Sequence, residues 1–131
     1  MEGEGWSMAS GWVEWIMIVS GLLTITMVRA AISPRATLES MFGASIEGPL
    51  AEILVRNWGV LVTLVGVALV YGGWFSVSQV PILIVAGASK LAFVGLVLIH
   101  GRAYLGKPVG QAIAVDSVFV MLFLFIVLAR P

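Results

Sequence analysis

Four long apolar runs decide what this chain can fold into. Residues 12–28, 51–75, 80–100 and 109–129 carry only Glu14, Glu52, Arg56, Lys90 and Asp116 as charged side chains, apart from His100 at one end. A helix crossing the hydrocarbon core of a bilayer needs roughly 20 predominantly apolar residues. Backbone in lipid must satisfy its own hydrogen bonds, and a helix does so within one segment. The runs therefore predict an all-α integral membrane protein, with residues 1–131 forming a single transmembrane domain. Composition agrees: 60% of the chain is hydrophobic and 11% charged, whereas soluble domains carry about 25% charge.

The links set the topology. Ser76–Gln79 is a tight turn, and Pro81 suits the first turn of the next helix. Residues 101–108 form a second short loop, with Pro108 at a helix start. Short links force antiparallel neighbours, so an up-down four-helix bundle is expected. Only residues 29–50 form a long link. Within it, TLESMFGASI (37–46) places Leu38, Met41 and Phe42 at helical spacing. Ser33 reads as an N-cap and Pro34 as the first helical residue, with Gly43 or Gly48-Pro49 as the stop. A short amphipathic helix is expected there, on the cytoplasmic surface or capping the bundle.

Basic residues collect in cytoplasmic loops. Arg29, Arg35 and Arg56 flank the first loop, and Arg102 and Lys107 lie in the third. The N-terminal tail and second turn hold no Lys or Arg, and the C-terminus has only Arg130. Loops 29–50 and 101–108 are thus expected in the cytoplasm, with both termini outside a bacterial inner membrane. Glu2 and Glu4 in the tail fit this. The first span lacks the positive leader and small-residue cleavage site of a signal peptide. Trp12, Trp15 and Trp74, with Trp6 just beyond, would then mark the outer interface, and Trp58 and Tyr104 the inner one.

Lipid removes the hydrophobic drive between helices, so close packing calls for small residues. Gly59, Thr63, Gly66 and Gly73 form such a stripe in the second span, and Ala88, Ala92 and Gly95 in the third. Ser20, Gly21 and Thr24 offer one in the first span, and Gly110, Ala114 and Ser117 in the fourth.

Charge within a span is the sharpest chemical signal, since a midplane charge costs at least ~2.5–3.5 kcal/mol. Lys90 lies near the centre of the third span and Asp116 about a third of the way into the fourth. A lysine stem can bridge the difference in depth, so the two are predicted to form a buried pair. Such a pair suits either a lock on helix register or a proton or substrate site. Glu52 and Arg56 stand in the favourable i, i+4 order. With Asn57, and with His100 or Tyr104 nearby, they are expected to form a polar cluster at the cytoplasmic end, facing the pair from below or anchoring the helix end. Glu14, between Trp12 and Trp15, is expected to be solvated or to meet a partner subunit.

Several classes are excluded or weak. The seven basic and seven acidic residues leave no basic tract for nucleic acid. No cysteine is present and His100 is the single histidine, so no thiolate or multi-histidine metal site is expected within one chain. No phosphate-binding glycine loop, HExxH spacing or nucleophile elbow occurs, so no catalytic residue is assigned. Ser89 adjoins Lys90, but neighbours on a helix point in different directions.

The segments VRNWGVLVTLVGVALVYGG, PILIVAGASKLAFVGLVLIHG and AIAVDSVFVMLFL, over residues 11–129, resemble the small bacterial four-helix membrane proteins grouped as DoxX-like. Shared features are the length, a first loop containing proline and glycine (SPRATLESMFG) and an Arg-x-x-Gly at the start of the second helix (Arg56 to Gly59). The resemblance implies the architecture and a subunit or accessory role, and supplies no catalytic residue. The first functional expectation is a small non-catalytic membrane subunit packing within a larger complex. Its partners would be lipids and other membrane subunits, or further copies of itself. An alternative is an oligomeric small-solute or proton-coupled transporter using Lys90 and Asp116. A third is a lipid- or quinone-binding subunit, marked by an apolar groove lined by Tyr71, Trp74 and Phe93. No cofactor is predicted apart from such a bound lipid or quinone.

Overall fold

The computed structural model describes residues 2–76 and 78–129, with backbone alone for 2–10. The side chains of Glu2, Glu4 and Trp6, and Val77 and Arg130, lie outside the described residues. All regular elements described are helical: α1 (Glu2–Ile25), α2 (Val28–Ile32), α3 (Pro34–Phe42), α4 (Pro49–Phe75), α5 (Gln79–His100) and α6 (Pro108–Ala129), with a 3₁₀ turn at Arg102–Tyr104. Four spans are long and apolar enough to cross a membrane: Gly11–Ile32, Pro49–Phe75, Gln79–His100 and Pro108–Ala129. The chain is an all-α membrane bundle. Its helices alternate in direction, so Arg29, Arg35, Arg56, Arg102 and Lys107 share one end, called here the basic end.

The first span is not one straight helix. Ser20, Thr24 and Thr26 turn their hydroxyls back onto the carbonyls of Met17 (3.1 Å), Ser20 (2.6 Å) and Leu23 (2.5 Å). Hydroxyls bound this way compete with backbone N–H groups and bend helices. The backbone tightens here to i→i−3 bonds, Thr26 N–H to Leu23 O at 3.2 Å and Met27 N–H to Thr24 O at 3.0 Å. Beyond the break α2 continues the span to Ile32.

The glycine stripe of α4 packs directly on α1 and α2. A Cβ on Gly66 would lie 2.8 Å from Gly21 O, one on Gly73 2.8 Å from Glu14 O, and one on Gly59 2.6 Å from Ala31 N. These are backbone contacts, which only the absence of a side chain permits. Thr63, on the same stripe, closes its hydroxyl onto Gly59 O at 2.7 Å.

In α5 the expected stripe is not the packing face. Ala88 and Ala92 are exposed, and a Cβ on Gly95 would meet nothing within 4 Å. The buried positions are Gln79, Leu83, Ala86, Lys90, Val94 and Val97, which repeat every three or four residues. Here larger side chains interdigitate with α6, so small residues are not needed. In α6, likewise, Ala114 is exposed and the buried positions are Val109, Ile113, Phe123 and Ile126.

The core is divided. Toward the N-terminal end Val13, Met17, Leu69, Leu83, Ala86, Phe123 and Ile126 form one cluster drawn from all four spans. Toward the basic end a smaller cluster, Val94, Val97 and Ile113, joins α5 to α6 alone. The short helix α3 closes this end. Pro34 is its first residue, Gly43 stops it in the left-handed region (φ 69°), and Ser33 makes no side-chain cap bond. Met41 and Thr37 point inward, and Phe42 meets Tyr104 edge-on at 5.3 Å.

Candidate functional site

Between the large core and the basic end, residues of all four spans line a half-open cavity of about 620 Å³. The small side chains Ala92 and Ala112 are part of its lining. Leu23, Trp58, Leu61, Val65, Phe93, Leu96 and Phe119 supply apolar walls, and Ser40 and Met41 of α3 and Arg29 border it toward the basic end. Trp58 stacks on Phe93 across the α4–α5 gap, with ring centres 5.9 Å apart and planes inclined by 29°.

The charged pair stands in this wall. Lys90 Nζ donates to Asp116 Oδ1 at 3.1 Å and to Thr24 Oγ1 at 2.9 Å, and lies 6.0 Å from the centre of the Phe119 ring. Lys90 is ten residues from the end of α5, so about 15 Å of helix separates it from the basic end. The Lys90 side chain is 9% exposed and that of Asp116 21%. Both line the cavity. An ammonium has three donors and a carboxylate accepts on both oxygens. Two donors and one oxygen are engaged inside the wall. Among the described residues no buried side-chain nitrogen or oxygen lacks a partner, so the remaining oxygen, Asp116 Oδ2, is not fully buried. The pair is therefore a polar point in an apolar room.

Thr24 was legible only as a small packing residue. Its hydroxyl donates to Ser20 O and accepts from Lys90, so one side chain ties the break in the first span to the charged pair. The short Ser20–Thr24 interval among apolar residues is the signal that could have found it.

The polar cluster expected at the basic end does not assemble. Glu52 pairs with Arg35 of α3 at 2.6 Å, not with Arg56. Arg56 instead donates to Ala31 O (2.5 Å) and Ile32 O (3.2 Å). The last carbonyls of a helix have no partner within it, and those of α2 draw Arg56 away from Glu52. Asn57, His100 and Tyr104 are exposed. None of the five residues lines the cavity. The groove expected along Tyr71, Trp74 and Phe93 is also redrawn. Phe93 lines the cavity, whereas Tyr71 and Trp74 are exposed toward the other end, 53% and 71% respectively. Glu14 accepts a hydrogen bond from the Ser76 hydroxyl, tying α1 to the turn after α4.

Among the described residues no three His, Asp or Glu side chains converge as metal ligands would. Comparison with family models, with curated proteins and with solved structures finds no match for this chain.

Proposed function

We propose that this protein binds a small amphiphile, lipid- or quinone-like, in the cavity between its spans. The observation that supports this reading is the cavity itself. About 620 Å³ falls within the 300–1,000 Å³ of small-molecule sites, which are mainly apolar with a few placed polar groups. Lys90, Thr24 and Asp116 are such groups. An accessory-subunit role is compatible with this reading, but no particular surface points to a partner. Transport has less support, because the large core stands between the cavity and the N-terminal end. The proposal includes an orientation with the basic end cytoplasmic, supported by the five Lys and Arg residues there, in a bacterial inner membrane. A DoxX-like affiliation stays part of the proposal, on the residues quoted above.

The test is native mass spectrometry of the protein released from mild detergent. The unaltered chain is expected to retain one small amphiphile. Ala112→Phe and Ala92→Phe, which fill the cavity, are expected to lose it. Equal retention by the filled variants would place the ligand elsewhere and end this reading.

A further inference from the structure

The two groups that the charged pair leaves free define the head of the ligand. This step rests on the cavity-binding reading and deepens it. Asp116 Oδ1 and two of the three Lys90 donors are taken up by Thr24 and the pair itself. What remains on these two cavity-lining residues is one acceptor, Asp116 Oδ2, and one ammonium N–H. Their formal charges cancel. The surrounding wall is Val65, Phe93, Val115 and Phe119. Arg29, the other cation on the cavity, lies at the basic end and donates to Thr26 O at 3.3 Å.

A ligand head facing this point must do two things. It must donate to a carboxylate oxygen, because an unmatched polar group in an apolar site is costly. It must also accept from an ammonium. A fully ionised phosphate or a carboxylate anion fails the first requirement and is repelled by Asp116. A bare carbonyl or ether can accept but not donate. A hydroxyl does both with one oxygen, and hydrogen bonds to charged groups are the stronger ones. We infer that the cavity takes an uncharged amphiphile with a hydroxyl head, seated on Lys90 and Asp116, its chain running along Trp58 and Phe93 toward the basic end.

Trp58 makes the inference measurable. In a chain with Trp6, Trp12, Trp15 and Trp74 replaced by Phe, Trp58 alone reports on the cavity wall. Three probes are titrated against it: a straight-chain alcohol brominated in mid-chain, its methyl ether, and the fatty-acid anion of equal length. The expected result is saturable quenching by the alcohol, at least tenfold tighter than by the ether, with the anion weakest. Lys90→Met/Asp116→Leu is expected to erase the preference while both neutral probes still bind. Thermal stabilisation of the unaltered chain by the same compounds should give the same ranking without any tryptophan replacement. Equal binding of alcohol and ether would overturn the hydroxyl assignment and leave the cavity reading standing. Tightest binding by the anion would overturn it in favour of an anion site on Lys90. No saturable quenching by any probe would remove the cavity reading and this inference together.

Discussion

The two halves of this bundle are built from the same apolar residue types and close differently. Toward the N-terminal end, Met17, Leu69, Leu83 and Phe123 meet from four spans and are 0–2% exposed. Toward the basic end only Val94, Val97 and Ile113 form a small buried cluster, and a cavity lies between the helix pairs. Two local features frame the difference. The first span stays backbone to backbone on Gly73, Gly66 and Gly59 of α4 on both sides of its bend, so the opening lies between this pair and α5–α6. Large side chains there line the walls, as Trp58 does against Phe93. In a bilayer, a half that does not close on itself must be filled by lipid, water or a ligand.

The comparison can be broken most severely through the closed half. Gly66→Leu places a side chain against Gly21 O and Ile25 N, both backbone atoms within 3 Å of the new Cβ. Loss of the folded bundle is expected, read as aggregation on size-exclusion chromatography. Phe123→Ala removes a ring that is 2% exposed and should cost about 3–5 kcal/mol in a reversible detergent-unfolding assay.

The charged pair gives a sharper contrast. Lys90→Met leaves Asp116 without its cation and should cost about 3–5 kcal/mol. Lys90→Met/Asp116→Leu should recover most of that, because replacing both members of a buried pair with apolar groups is often neutral. A double variant as unstable as the single one would show that the pair holds the bundle together. Smallest of all, Arg35→Gln breaks the exposed pair with Glu52 and should change stability by less than about 1 kcal/mol in the same assay.

How much of this was legible in the sequence follows from range. The spans were, because hydrophobicity over twenty residues is a local property. The Lys90–Asp116 contact was, because two charges in neighbouring apolar helices have few other partners. The α4 stripe was, because glycines at helical spacing have little use except close approach. Ala88, Ala92 and Gly95 misled for a related reason. Small residues mark either a tight contact or an empty space, and only the neighbouring helix decides which. The Glu52–Arg56 pair failed because the open carbonyls of α2 compete for Arg56, and the chain must fold before they arrive. The cavity itself was not legible, since its lining is drawn from all four spans and no local pattern encodes their spacing.

Accessibility tests the central difference most directly, and the chain has no cysteine to interfere. Ala112 lines the cavity and Ala86 is 1% exposed in the closed core. Single variants Ala112→Cys and Ala86→Cys are exposed to a small uncharged maleimide in native membranes. The account predicts that Ala112→Cys is labelled, and protected by a bound long-chain alcohol, while Ala86→Cys stays unlabelled. Equal labelling at both positions, or none at either, would contradict it.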